Sequence, residues 1–271
     1  MEDVYQADSD VHVLPVSLPV GPDGVLTINA FLLDAQEPVL VDTGIGNDSD
    51  QFIDAVDAIV GLKNLRWLWL THDDADHTGS VRRILEAAPH VRLVTHALSA
   101  IRMSSWWPVP LDRVHAIRAG DRLHVGDRTL RAVMPPLFDN PMSIGLLDES
   151  TGNLFTVDSF GALLPEATQD AAEVPQDALA GGMLAWSLMD SPWSSLVDRA
   201  KFADVLDGVR RLRPSRIFSS HLPAASGTSL DRFLDVLKAA PDATPPPAPS
   251  HEEFTAMVAG MQADLEAAVP T

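Results

Sequence analysis

The chain has 271 residues, 46% of them apolar, enough to bury a substantial core in one large domain or two small ones and too many for a disordered chain. Lys and Arg number 19 against 38 Asp and Glu, a formal net charge of −19 that argues against a nucleic-acid or anionic-membrane surface, since phosphate binding needs clustered cations. The absence of cysteine excludes disulfides, thiolate zinc sites, iron–sulfur clusters and cysteine nucleophiles.

The opening "MEDVYQADSD" is acidic and lacks the apolar centre of a signal peptide. No run approaches the roughly 20 apolar residues of a membrane span, so the expectation is a cytoplasmic protein without membrane contact. "GVLTINAFLLD" and "EPVLVDTG" predict two adjacent strands, Val25 to Leu33 and Val39 to Val41. In "SDQFIDAVDAIVG", Phe52, Ile53, Val56, Ile59 and Val60 recur at helical spacing. "NLRWLWLT" suits a short buried strand, Gly79 to Ala88 a helix, and "VRLVTH" the next strand. From "DRLHVGDRTLRAVMP" to "TGNLFTVDS" the pattern stays extended, with turns at Gly126-Asp127 and at Thr151-Gly152-Asn153. "SSLVDRAKFADVLDGVRRLRP" then reads as a helix that Pro214 ends, "SRIFSSH" as a strand, and Ser229 to Ala239 as another helix. The basic triplets within 81–83 and 209–213 fall in amphipathic patterns and read as solvated helix faces. A stiff proline-rich connector occupies 241–250. After it, Ser250 and Glu253 form a capping box for a last amphipathic helix, 251–271, whose stripe of Phe254, Met257, Val258, Met261 and Leu265 docks on the body or on a second copy of the chain as a homodimer.

Metal-binding side chains gather at strand ends and in the loops after them, where a sheet fixes their positions. Three such places carry acids and histidines. "LTHDDADHTGS" sets His72, Asp74, Asp76 and His77 after an apolar strand; Asp158 closes "NLFTVD"; His221 closes "RIFSSH". Ser159 and Ser219 adjoin these candidates without a visible base, so nucleophilic catalysis has no support. Trp106 and Trp107 read as core residues, and His12, His90, His96, His115, His124 and His251 have no ligand-like context.

The pattern HxDxDH at 72–77, preceded by "VDTG" at 41–44 and followed by Asp158 and His221, resembles the metallo-β-lactamase fold over about residues 10–235. The resemblance implies an α/β fold, an αββα sandwich over residues 1–240 with two metals at one edge of the paired sheets, and Asp42 orienting ligand side chains. Zinc hydrolases of this fold usually have HxHxDH. A carboxylate at the position of Asp74 is similar to the di-iron branch, the flavodiiron proteins and their oxygen-binding relatives, and "LFTVDSFG" resembles the strand ending in that branch's bridging aspartate. Carboxylates favour harder ions such as iron and manganese and tolerate a change of iron oxidation state.

On that resemblance, Asp76, His77, Asp158 and His221 hold one metal, while His72, Asp74 and Asp158 hold the other one ligand short. Leu137 falls where the branch carries a further histidine, and Asp139, two residues on, could reach in. Three functions remain open. One is a protein with one or two irons that binds or reduces oxygen, nitric oxide or peroxide. A second is a hydrolase of a small-molecule substrate, using zinc or manganese to activate water that Asp74 or Asp76 orients. The third is a metal-poor binding module. Only 50 residues follow His221, too few for a flavodoxin-like domain, so a redox reaction needs a separate electron donor.

Overall fold

The computed structural model describes residues 1–20, 24–245, 247–256 and 258–259. One sheet is built, in spatial order, from β1 (Tyr5–Asp8), β2 (Val11–Pro19), β3 (Val25–Leu33), β4 (Val39–Val41), β5 (Trp67–Trp69), β6 (Arg92–Thr95) and β7 (Val114–Ala116). The other comprises β8 (Arg122–His124), β9 (Thr129–Val133), β10 (Gly145–Asp148), β11 (Asn153–Phe155), β12 (Arg216–Ser219) and β13 (Leu222–Ser226), again neighbour to neighbour.

Alternation along the strands explains the layering. In β4, Val39 and Val41 face the second sheet, and Leu40 faces the outer helices. Phe31, Phe155 and Phe218 meet between the sheets, with the last two stacked at 4.9 Å and Phe31 edge-on to both. Helices α1 (Ser49–Val60), α3 (Val81–Ala87) and α4 (Ala97–Met103) cover the outside of the first sheet through Phe52, Val56, Ile84, Leu85 and Met103. Helices α5 (Gln176–Asp190), α6 (Arg199–Arg210) and α7 (Leu230–Ala239) cover the second through Leu179, Met183, Phe202, Leu206, Phe233 and Leu237. The result is the expected αββα sandwich.

Strand direction places the chemistry. β4, β5, β6 and β7 run parallel, so the loops after them emerge on one edge. β11 and β12 are also parallel to each other, because α5 and α6 return the chain between them. The loops after β11 and β12 therefore open together, the arrangement that gathers ligands at strand C-termini.

Several local expectations change. β1 and β2 read poorly in sequence because Pro15 and Pro19 interrupt "VHVLPVSLPV"; β1 pairs only with Val11, His12 and Val13, so both prolines lie beyond that ladder, and the Pro15 carbonyl accepts from Glu2 N–H at 3.0 Å. The helix expected over Gly79 to Ala88 is α3, and a separate single turn, α2 (Ala75–Thr78), precedes it. The helix expected over "SSLVDRAKF" starts later, where the Asp198 carboxylate accepts hydrogen bonds from the N–H groups of Ala200 and Lys201. α5 lacks a sequence signature, since Gly181 and Gly182 weaken its propensity. Trp106 is exposed rather than in the core, whereas Trp107 packs against the α1–α3 layer. Ser250 and Glu253 exchange the two capping bonds at 2.7 and 3.2 Å, and residues 251–256 are helical. Of the stripe expected on that helix, Phe254 is exposed, and Met257, Met261 and Leu265 lie outside the described residues. No helix among the described residues is long and apolar enough to cross a membrane.

Candidate metal centre

The loop after β5 makes one tight turn that presents its acids and imidazoles together. His72 leaves the strand, Asp74 takes an extended conformation ahead of α2, and the single turn of α2 supports Asp76 and His77. The turn after β4 holds this loop from behind. Thr43 N–H and Oγ1–H both donate to the His77 carbonyl at 2.9 Å, and Gly79 N–H donates to the Gly44 carbonyl. The two backbones approach so closely that a Cβ at residue 79 would lie 2.2 Å from the Ile45 carbonyl carbon, which explains glycine there.

Asp42 has φ 59°, and its carboxylate accepts from Thr71 N–H and Oγ1–H at 2.8 Å each and lies 2.8 Å from His77 Nδ1. It therefore orients a ligand side chain without facing the centre. The Thr27 carbonyl accepts from His221 Nδ1–H at 2.9 Å. A carbonyl can only accept, so this contact sets the His221 tautomer and leaves the Nε2 lone pair pointing inward; a carboxylate at Nδ1 does the same for His77.

Asp158 sits at the focus, 2% exposed. Its Oδ1 lies 3.2 Å from His77 Nε2 and 3.1 Å from His221 Nε2, and its Oδ2 lies 3.6 Å from His72 Nε2. Asp76 Oδ2 stands 3.4 Å from both His77 Nε2 and His221 Nε2. The loop bearing Asp158 is contorted: Val157 and Phe160 have φ 57° and 69°, a costly setting for a β-branched residue. Ser219 Oγ–H and Ser220 N–H donate to the Val157 carbonyl and hold the strain in place. Ser219 is thereby structural, as is Ser159, whose hydroxyl bonds the Leu137 backbone.

The structure brings all six expected ligands, His72, Asp74, Asp76, His77, Asp158 and His221, into one centre and adds two carboxylates. Asp139 Oδ1 lies 3.9 Å from His72 Nε2, alongside Asp74 Oδ2 at 3.8 Å, so the group around His72 is not one ligand short. Leu137 does not point at this group as an emptied ligand position would require. Its side chain is buried in the outer core with Phe160, Leu164 and Leu179. Of the two positions left open in this loop, it is Asp139 that approaches His72. Three anchors hold the loop in this register: Ser159 at Leu137, Trp193 Nε1–H donating to the Phe138 carbonyl at 2.8 Å, and Asn140. The Asn140 amide donates to Asp74 Oδ1 at 2.9 Å and Asp73 Oδ1 at 3.0 Å, while Arg102 pairs with the other side of Asp73 at 3.0 Å.

Asp190, the last residue of α5, is the second addition, close to both Asp139 and Asp158. Trp186 on the same helix donates to the Asp158 carbonyl at 3.0 Å and packs on the His221 ring at 4.5 Å. The available signal was the spacing Leu179, Met183, Trp186, Asp190, one face of a helix, once that helix is recognised.

The electrostatics show a centre built for cations. Burial and the surrounding carboxylates push Asp139 up to about 8, and burial with the Asp158 charge pushes Asp190 to about 7. Burial opposes charging of His77, but Asp42, Asp158 and Asp76 raise it well above the usual range; His221 is likewise raised by Asp158 against its burial. His72 is held low by burial and by His77. Both oxygens of Asp158 are buried without a hydrogen-bond donor. In the metal-free chain the protons that Asp158 favours on His77 and His221 offset its charge, and a bound cation would take their place. The buried His/Asp cluster thus fits a metal site like a di-iron centre.

Residues 26–221 match the ODP family β-lactamase domain. The chain belongs to this family. Relatives of the ODP domain include a putative diflavin flavoprotein of Thermosynechococcus vestitus, 32% identical over 137 residues, 50% of this chain and 24% of that protein. The flavo-diiron protein FprA2 of Clostridium acetobutylicum is 25% identical over 134 residues, 49% of this chain and 34% of that protein. This chain therefore spans about a quarter to a third of the length of these curated relatives. Among solved structures, the rubredoxin oxygen:oxidoreductase of Desulfovibrio gigas superposes with a TM-score of 0.76 at 19% identity, covering 88% of this chain and 61% of that one. The flavodiiron protein of Giardia intestinalis gives 0.77 at 14% identity, covering 89% and 60%. The sandwich is that of the flavodiiron metal domain.

Proposed function

We propose that this ODP domain holds a di-metal centre containing iron that binds or reduces a diatomic gas, oxygen or nitric oxide, with electrons from a donor outside the domain. The single observation supporting this most is the oxygen-rich group around His72, where Asp74 stands in place of an imidazole usual in zinc hydrolases of this fold and Asp139 and Asp158 add two further carboxylates. Bound iron would supply reversible redox chemistry and open coordination positions. The chain's own residues do the rest. Asp158 directs one oxygen toward His72 and the other toward His77 and His221, so it would help to hold both ions. Asp42 and the Thr27 carbonyl keep the imidazoles of His77 and His221 turned inward. Trp186 and Trp193 anchor the loops that carry Asp158 and Asp139 through bonds to the Asp158 and Phe138 carbonyls.

The relatives' names and fold support the reading, but those proteins extend well beyond the matched region, which is why the electron source is placed outside this domain. The test is anaerobic loading with ferrous ion followed by nitric oxide or oxygen, recorded by optical and electron paramagnetic resonance spectroscopy. New charge-transfer bands on gas addition, and oxygen uptake that requires an added reductant, are expected. An iron-loaded chain silent to both gases, together with hydrolysis of ester or lactam substrates by the zinc-loaded chain, would replace this reading with a hydrolase.

A further inference from the structure

The two metal positions differ in ligand chemistry. One faces two imidazoles, His77 and His221, with Asp76 and its share of Asp158. The other gathers three carboxylates, Asp74, Asp139 and the second oxygen of Asp158, around His72, with the His77 ring, which Asp42 holds toward the first position, 4.0 Å from the His72 ring. Asp190 extends this second group, since its carboxylate converges with those of Asp139 and Asp158.

The placement of Asp190 carries its own physical cost. It is the C-terminal residue of a 15-residue helix that has no basic side chain in its last turn, so the helix dipole opposes a negative charge there. Among the described residues no Lys or Arg forms an ion pair with Asp74, Asp76, Asp139, Asp158 or Asp190; their charged contacts run to histidine rings or to one another. The neighbouring Ser191 hydroxyl donates to the Asp190 carboxylate at 3.0 Å. Asp158, buried and without a hydrogen-bond donor on either oxygen, is aimed into the same space. A carboxylate held against a helix C-terminus and two other carboxylates is stable as an anion only with a cation among them.

We infer that the two positions select different cations: His72, Asp74, Asp139 and Asp158, with Asp190 as an added oxygen ligand, take manganese, while Asp76, His77, His221 and Asp158 take iron. The reason is ligand hardness. Iron outcompetes manganese at any shared nitrogen–oxygen site, but each imidazole replaced by a carboxylate reduces that advantage, and all-oxygen surroundings suit manganese. With iron limiting, it fills the two-imidazole position and leaves the carboxylate-rich one to manganese. Asp190 is then the residue that separates the two preferences.

This inference rests on the di-metal reading above, and the experiment separates their failures. Metal-stripped chain is loaded anaerobically with one equivalent of ferrous ion and excess manganous ion, desalted, and assayed for both metals by mass spectrometry and for bound manganese by electron paramagnetic resonance. One iron and one manganese per chain are expected. Asp190→Asn, close in shape to the native residue, should weaken manganese retention about tenfold and leave iron unchanged. Asp139→Asn, from a different loop, should act in the same direction. Asp76→Asn should instead lower iron. Manganese retention unaffected by either Asp190→Asn or Asp139→Asn, or two irons filling both positions despite excess manganese, overturns the assignment while leaving the di-metal reading intact. A chain that retains neither metal overturns the di-metal reading and the assignment with it.

Discussion

Replacing Asn140 with alanine tests how the centre is held. Asn140 is 4% exposed, and its amide bridges Asp73 and Asp74 while its oxygen accepts from Met142 N–H at 3.0 Å. Its orientation is unambiguous, since only the nitrogen can face two carboxylates. Two of the three bonds involve charged acceptors, each worth roughly 1.5–3 kcal/mol, and the neutral one adds about 1 kcal/mol. Asp74 is about one-third exposed and regains water when its bond is lost, and Arg102 still pairs with Asp73. The net loss expected for Asn140→Ala is therefore about 2–4 kcal/mol, or on the order of 5–10 °C in melting temperature for a domain this large. Because the same amide ties the Asp139 loop to Asp74, metal affinity at the His72 group should fall roughly 10- to 100-fold, with little change at the His77 group. Asn140→Asp separates the donor from its packing: it keeps the shape but sets a third carboxylate against two, and should be worse than alanine at neutral pH. The assays are thermal unfolding of the metal-free chain and retention of each metal against a chelator. Unchanged stability in both variants with unchanged retention would refute the clamp, and equal weakening at both metal groups would reduce it to a general structural role.

Asp42→Ala removes an acceptor from Thr71 N–H, Thr71 Oγ1–H and His77 Nδ1 at once, all buried, so a loss of about 3–5 kcal/mol in urea unfolding is expected together with preferential loss of the metal at His77. Leu137→His should destabilise the chain by roughly 2–5 kcal/mol without raising metal content, because residue 137 points into the outer core; a gain of one metal per chain would reverse that conclusion. Asp139 and Asp190 have folded-state pKa values raised to about 8 and about 7, so the metal-free fold binds their protons more tightly than the unfolded chain does. Their contribution is fully present at acid pH, below the ordinary carboxylate range, and is lost as pH rises through 7 and 8. Metal binding displaces those protons, so calorimetry in buffers of different ionisation enthalpy should register proton release at pH 7, diminishing toward pH 9. No release at pH 7 would show that these carboxyls are already ionised.

Several strands and the candidate ligands were legible in the linear chain because they follow from local rules, whereas the αββα sandwich was implied by the resemblance that those motifs carry. Apolar alternation marked β3 and β4, and the acids and histidines at 72–77, 158 and 221 stood directly beyond apolar strands. The resemblance of "VDTG" implied an orienting role for Asp42, and the structure supplies its partner, His77. What the chain could not reveal by itself was which residue completes the His72 group. That depends on where the loop before β10 turns, and the turn is decided by distant partners: Ser159 at the Leu137 backbone, Trp193 at the Phe138 carbonyl, and Asn140 between Asp73 and Asp74. Asp190 lay out of reach for a similar reason. A weakly predicted helix containing two glycines delivers it, and its role appears only when that helix packs across the second sheet with Trp186 bonded to the Asp158 carbonyl. Ligand identity at strand ends is a property of short segments, whereas ligand identity in a loop is set by the long-range contacts that choose the loop's register.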